Sequence, residues 1–202
     1  KIKIKSKSYP IKYYARTDFE LENLACSICC CLAIGLTIKK IISFIPKASK
    51  PEGRMQLVNK LYNGAKVFVD YAHTPSALKT ILKSNLCLKK KPDIVFGCGG
   101  ERDKAKRVLM GKIANKHAKR IYITNDNPRN ENPNTIRKII HSQCSRALNI
   151  SDRRIAIKSA IYNLNSTDIL IIAGKGHEKK QILQNKSIDF NDMKVANYFI
   201  NK

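Results

Sequence analysis

The stretch "DIVFGCGGERDKAKRVLMGKIANKHAKRIYITNDNPR", Asp93 to Arg129, decides the fold. Asp93–Phe96 and Ile121–Thr124 are short apolar runs, long enough for strands and too short for helices. Between them Asp103–His117 reads as an amphipathic helix, with Val108, Leu109, Ile113 and Ala114 on one side. A strand, a crossover helix and a second strand in this order make a parallel βαβ unit. After the second strand come Asp126, Asn127, Pro128 and Arg129, a polar cluster that a buried strand would not choose for its own stability.

The alternation continues in both directions. Upstream, Met55–Leu61 and Lys66–Asp70 alternate like strands around "YNG", a hairpin signal. A helix is expected from Pro75, with Thr74 as its N-cap. Downstream, Pro133–Ala147 reads as a helix, Ile155–Ile157 as a short strand followed by a short helix, Asp168–Ala173 as an apolar strand, and Asp192–Ile200 as a helix. The class is α/β, a mostly parallel sheet with helices on both faces. Before this region, residues 1–18 are basic and irregular, and helices are expected over Glu20–Gly35 and Ile38–Phe44. The proline- and glycine-containing "PKASKPEG" reads as a linker, dividing the chain into residues 1–50 and 51–202.

Composition excludes several classes. Of 202 residues, 39 are Lys or Arg and 15 are Asp or Glu, a formal charge of +24. The lysines are spread along the chain, with no arginine-rich block and no zinc-finger spacing. That favours non-specific, salt-sensitive attraction to polyanions over nucleic-acid recognition. The apolar run Leu24–Leu36 is short of the ~20 residues of a membrane span and reads as a buried helix. No apolar h-region follows the basic "KIKIKSKS". Seven cysteines without a secretory pattern fit a reducing cytoplasm; Cys26, Cys29, Cys30 and Cys31 crowd one helix as small apolar residues rather than as a metal site.

In open α/β sheets, ligands bind beyond the carboxyl ends of the strands. Four polar stretches fall there: "VDYAHTP" after Asp70, "GCGGERDKAKR" after Phe96, "NDNPR" after Thr124 and "GKGHE" after Ala173. Gly97, Gly99 and Gly100 allow close backbone approach, and Arg102 and Arg107 offer forked donors for carboxylate or phosphate. Asp70 either caps a turn or meets sugar hydroxyls; His73 either holds its loop or faces a nucleotide. Gly174 either turns the chain or lies against a ligand, and Glu178 either is solvated or takes an amine. Arg129 suits a carboxylate; Asp126 or Asn127 suits an ammonium or holds the loop; Pro128 fixes the direction of Arg129. Each stretch alone is also explained as an ordinary turn.

Together, "GRMQLV", "VFVDYAHTPSAL", "VFGCGGERDKAKRVLMGKIA", "TNDNPRNENP", "AGKGHEKKQI" and "DFNDMKVA" resemble the Mur ligases in order and spacing, from about Phe19 onward. The resemblance implies a Rossmann-like C-terminal domain preceded by helices from the end of a central ATPase domain. It implies ATP- and Mg2+-dependent amide formation through an acyl phosphate. The Asp-Asn-Pro-Arg form resembles the type that adds meso-diaminopimelate to UDP-N-acetylmuramoyl-L-alanyl-D-glutamate. Carried over by motif, the amino-acid pocket would use Arg102, Asp126, Asn127, Pro128, Arg129, Gly174 and Glu178. The nucleotide would meet Arg54, Asp70, His73 and Asn23. Val108, Ala105, Lys180 and Glu20 depart from residues common in the family. No Gly-x-x-x-x-Gly-Lys-Ser/Thr phosphate loop occurs in the 202 residues. The chain alone is therefore expected to bind the amino acid without turning over ATP, its phosphate loop and metal ligands lying in N-terminal and central domains supplied in cis or trans. The competing expectations are a stand-alone binding module without ligase activity and a basic polyanion-binding protein.

Overall fold

The computed structural model describes residues 1–4, 7–87, 90–184 and 186–202. The chain forms two compact units, Lys1–Lys50 with Ser84–Leu86, and Pro51–Lys83 with Cys87–Lys202.

In the first unit, residues expected to be irregular form a small antiparallel pair, β1 (Ile2–Ile4) and β2 (Lys7–Tyr9). Helix α1 (Asp18–Ala33) begins two residues before the expected Glu20, because the Thr17 hydroxyl accepts the Glu20 N–H and caps it. The Glu20 carboxylate accepts the Arg16 N–H and pairs with Lys50 at 2.7 Å. Helix α2 (Ile38–Phe44) follows. Ile28, Ile41 and Ile45 form the core here. The reading of Leu24–Leu36 as a buried helix is corrected: a helix packed along one stripe leaves its other sides out, and Cys26, Cys29 and Cys30 are exposed.

The second unit is built on a six-stranded sheet. Its strands are β3 (Gln56–Lys60), β4 (Lys66–Asp70), β5 (Asp93–Phe96), β6 (Ile121–Ile123), β7 (Leu148–Asn149) and β8 (Ile169–Ala173), in spatial order β3-β4-β8-β5-β6-β7. Only β3–β4 is antiparallel; the other pairs are parallel. Helices α3 (Pro75–Leu82), α4 (Ala105–His117), α5 (Pro133–His141), α6 (Arg153–Tyr162) and α7 (Asp192–Ile200) cover it. Val67, Val69, Val95, Tyr122, Leu170 and Ile172 carry one face of the sheet into a core with Ala156, Ile157, Ala160 and Ala196. A separate hairpin, β9 (Lys180–Leu183) and β10 (Lys186–Asp189), follows β8.

Three sequence readings are corrected. Ile155–Ile157 lies in α6, not in a strand, because Asp152 caps a helix there by accepting the Ile155 N–H. The edge strand is instead Leu148–Asn149, so α5 stops at His141 rather than Ala147, leaving the chain room to turn back. The inward face of α4 is Lys106, Arg107, Met110, Gly111 and Ala114, whereas Leu109 is 49% exposed. Gly111 sets that face: a Cβ there would lie 2.6 Å from the Ile140 carbonyl oxygen of the α5 backbone.

A guanidinium holds the end of β8. Arg153 is fully buried and donates through Nε and Nη2 to both oxygens of buried Asp192, at 2.8 and 2.7 Å, and through Nη2 to the Ala173 carbonyl at 2.9 Å. Asp192→Ala strands that cation, and a loss of about 3–5 kcal/mol in urea unfolding is expected; a loss below ~1 kcal/mol would contradict the pairing. Gly111→Ala should also destabilise, although Ala is ordinarily better than Gly in a helix by about 1 kcal/mol. The backbone oxygen cannot step aside as a side chain would, and overpacking costs about 1–3 kcal/mol. A more stable Gly111→Ala protein would show that α4 and α5 are not this close.

Candidate functional site

The registers Asp70↔Ala173, Val95↔Ile172 and Phe96↔Ile123 bring the carboxyl ends of β4, β8, β5 and β6 to one rim. The four polar stretches leave the sheet there. The loops after β5 and β6 touch backbone to backbone. A Cβ on Gly100 would lie 1.9 Å from the Pro128 oxygen, so only glycine fits. The Gly100 N–H donates to the Asn127 carbonyl at 2.9 Å.

Arg129 stands on this junction. Its backbone is left-handed, φ 52°, a conformation L residues seldom adopt. Its Nη1 donates to the Gly100 carbonyl at 2.8 Å, which leaves the rest of the fork for a ligand. Beneath it, Arg107 is buried and donates to Glu131 at 2.9 Å through both terminal nitrogens. The expectation that Arg107 offers a fork to a ligand is thus corrected: its charge is used inside the protein. The Arg107 fork, helped by the Glu101 N–H, holds the Glu131 carboxyl at about 2 instead of 4.5.

The other side of the site is a hydrogen-bonded triad. Asn127 Nδ2 donates to Glu178 Oε2 at 2.9 Å, while its Oδ1 accepts from Ile182 N and from Lys175 Nζ, both at 3.0 Å. Lys175 also donates to Glu178 Oε2 at 2.8 Å and to the Lys180 carbonyl at 2.7 Å. Burial pushes the Glu178 carboxyl up, but Lys175 and Asn127 outweigh burial and hold it below its ordinary value. Asp126 turns one oxygen to the Asn127 N–H at 2.7 Å. Gln181, on β9, donates to the Asp126 carbonyl at 2.7 Å, so the hairpin, which the sequence did not announce, braces this loop.

Asp126, Asn127, Arg129 and Glu178 line a cleft of about 320 Å³ that also includes Tyr71, Thr74 and Lys106. Of the residues singled out from sequence, the structure brings His73, Arg102, Asp126, Asn127, Arg129, Gly174 and Glu178 into its wall. Pro128 faces an adjoining groove, toward Asn130 and Glu131. Arg54 is exposed beside the cleft, its guanidinium 4.6 Å above the Tyr71 ring. Asp70 is buried: its two oxygens accept the Met55 and Ala72 N–H groups at 2.7 Å, so it fixes the chain beside Arg54. The His73 ring meets the Tyr71 carbonyl at 3.0 Å. Asn23 belongs to the first unit, exposed on α1. Sequence reading passed over Lys175, whose burial has no signal in a lysine-rich chain.

A larger cleft, about 940 Å³, lies between the β9–β10 hairpin and helices α6 and α7. Size does not make it the better site. Its buried charges, Arg153 and Asp192, neutralise each other. The smaller cleft brings Arg102, Lys106 and Arg129 together with Asp103, Asp126 and Glu178, groups of both signs as a zwitterion requires.

The family model for Mur ligase, glutamate ligase domain, matches residues 53–176. The chain belongs to the Mur ligase family. Over 182 residues it is 43% identical to the UDP-N-acetylmuramoyl-L-alanyl-D-glutamate–2,6-diaminopimelate ligase of Buchnera aphidicola subsp. Schizaphis graminum, covering 88% of this chain and 36% of the relative. The enzyme of the same name from Mesorhizobium japonicum is 40% identical over 185 residues, 91% of this chain and 38% of its own. A solved structure of a ligase so named is 34% identical and superposes with a TM-score of 0.69, covering 98% of this chain and 41% of that one. The chain thus spans a little over a third of the curated relatives it matches. The Mur ligase fold extends to more distant structures, including a UDP-N-acetylmuramate-alanine ligase from Thermotoga maritima, 13% identical with a TM-score of 0.67 over 93% of this chain and 38% of that one.

The pair between buried Arg107 and partly exposed Glu131 gives this Mur ligase domain a testable pH dependence. The folded Glu131 pKa lies below its unfolded value, so the native state holds fewer protons. The stabilisation is complete above the unfolded pKa, ~4.3, and is lost as pH falls toward about 2. The stability advantage over Glu131→Gln should be constant near neutral pH and shrink below it. Urea midpoints that keep a constant gap down to the acid limit of folding would contradict this.

Proposed function

We propose that this chain is the C-terminal, amino-acid-binding part of an ATP-dependent ligase that adds meso-diaminopimelate to UDP-N-acetylmuramoyl-L-alanyl-D-glutamate in peptidoglycan synthesis, in the cytoplasm. The observation that carries the reading is the mixed charge of the cleft wall. Arg102, Lys106 and Arg129 line it together with Asp103, Asp126 and Glu178. Diaminopimelate carries a carboxylate and an ammonium at each end, so its distal end needs a cation and an anion together. Lysine lacks the distal carboxylate and has no use for Arg129. The names of the relatives support the same substrate.

In this reading residues 51–202 form the amino-acid-binding domain, and residues 1–50 are the end of the central ATP-binding domain. ATP supplies the phosphoryl group that activates the acceptor carboxylate. The exposed Arg54 guanidinium beside Tyr71 suits a phosphate or a base, and His73 lies at the cleft edge. Asp70 would act through Arg54's loop, since its oxygens are taken by backbone amides. Among the described residues there is no group of three or more His, Cys, Asp or Glu side chains that could hold a metal ion. We assign Mg2+ and the phosphate loop to the central domain, acting in cis or trans. The chain's own contribution is to hold the amino acid with its amine aimed at the activated carbonyl; fixed charges and positioning do this without reorganising at each turnover.

Calorimetric titration tests the substrate. Binding of meso-diaminopimelate should exceed that of L-lysine, and Arg129→Ala should weaken it by more than about 1 kcal/mol, as for a lost charged hydrogen bond. Equal affinity for the two amino acids, or an unchanged affinity in the variant, would overturn the assignment.

A further inference from the structure

We propose that Lys175 is a positioning residue of the cleft: its buried ammonium locks the Asn127 amide and the Glu178 carboxylate into one arrangement, which presents the second Glu178 oxygen to the ligand's ammonium group. The inference rests on the amino-acid reading of the cleft. In a chain with 39 Lys and Arg residues, Lys175 has no exposed surface. Burying an ammonium is costly unless every N–H finds a partner. Lys175 finds three acceptors, Asn127 Oδ1 at 3.0 Å, Glu178 Oε2 at 2.8 Å and the Lys180 carbonyl at 2.7 Å.

The consequence lies in direction. An asparagine side chain can be turned end for end with almost no change of shape. Here the Lys175 ammonium and the Ile182 N–H both point at Oδ1, so the turned form would set donors against donors. The amide nitrogen is thereby aimed at Glu178 Oε2. That oxygen carries two hydrogen bonds, and Glu178 Oε1 carries none among the described residues. Glu178 lines the cleft, where an ammonium group can meet it. Asn127 accordingly serves the cleft through its hold on Glu178, since both ends of its amide are engaged within the protein. The left-handed glycines Gly174 (φ 112°) and Gly176 (φ 54°) flank Lys175 and turn its side chain inward.

The test compares the wild-type chain with Lys175→Met, each labelled with 13C at glutamate carboxyls, by NMR titration and by calorimetry with meso-diaminopimelate. Removing the cation should raise the Glu178 titration midpoint by at least one pH unit and shift the Asn127 side-chain NH2 signals. Affinity should fall in the variant, and fall further at pH 5 than at pH 8.5, where Glu178 is ionised in both proteins. An unchanged midpoint, or an equal loss of affinity at both pH values, would overturn the inference, because a merely structural lysine predicts no pH dependence. Wild-type protein that ignores meso-diaminopimelate would instead refute the reading of the cleft; the Glu178 and Asn127 signals would then decide the role of Lys175 alone. If Lys175→Met does not fold, Lys175→Gln, which keeps a donor without the charge, is read in the same way.

Discussion

The loops after β5 and β6 meet where no side chain can come between them. Gly100 lies so close to the Pro128 carbonyl that a methyl group would overlap it. A backbone hydrogen bond and the Arg129 guanidinium tie the loops together, and the Arg107–Glu131 pair supports them. The direction of Arg129, the depth of the cleft and the place of Asp126 all follow from that contact. Opening it would move Arg102 on one loop relative to Asp126 and Arg129 on the other.

Much of this was legible in the sequence because local signals agreed with the tertiary fold. Thr74-Pro75 begins α3 as a cap and first residue should, and the Thr74 hydroxyl accepts the Ala77 N–H at 3.3 Å. Strands β5 and β8 are buried on both sides and read as unbroken apolar runs. Parallel order then forces their carboxyl ends onto one edge, so the positions of the polar clusters followed from chain direction alone.

What failed to be legible depends on partners distant in sequence. Helical periodicity placed Leu109 inside, but α4 is oriented by the need to fit Gly111 against α5 and to pair Arg107 with Glu131. Ile155–Ile157 looked like a strand because β-branched residues also suit a buried helix face, and only Asp152 marked the cap. The β9–β10 hairpin follows "GKGHE" without a strong turn signal, and its value to the site comes from Gln181 and Ile182 reaching the Asp126–Asn127 loop. Buried Lys175 was indistinguishable from its many solvated neighbours. The charged groups that support the site are the ones that sequence conceals, because burial of a charge is decided by its partner.

The central claim is that the cleft holds an amino acid by charges of both signs in its wall. A crystal structure of the chain with meso-diaminopimelate tests this most directly. The account predicts the ligand in the cleft of about 320 Å³, one carboxylate at Arg129 and the neighbouring ammonium at Asp126 or Glu178. Density for the ligand in the larger cleft beside α6 and α7, or a cleft left empty at saturating ligand, would contradict it.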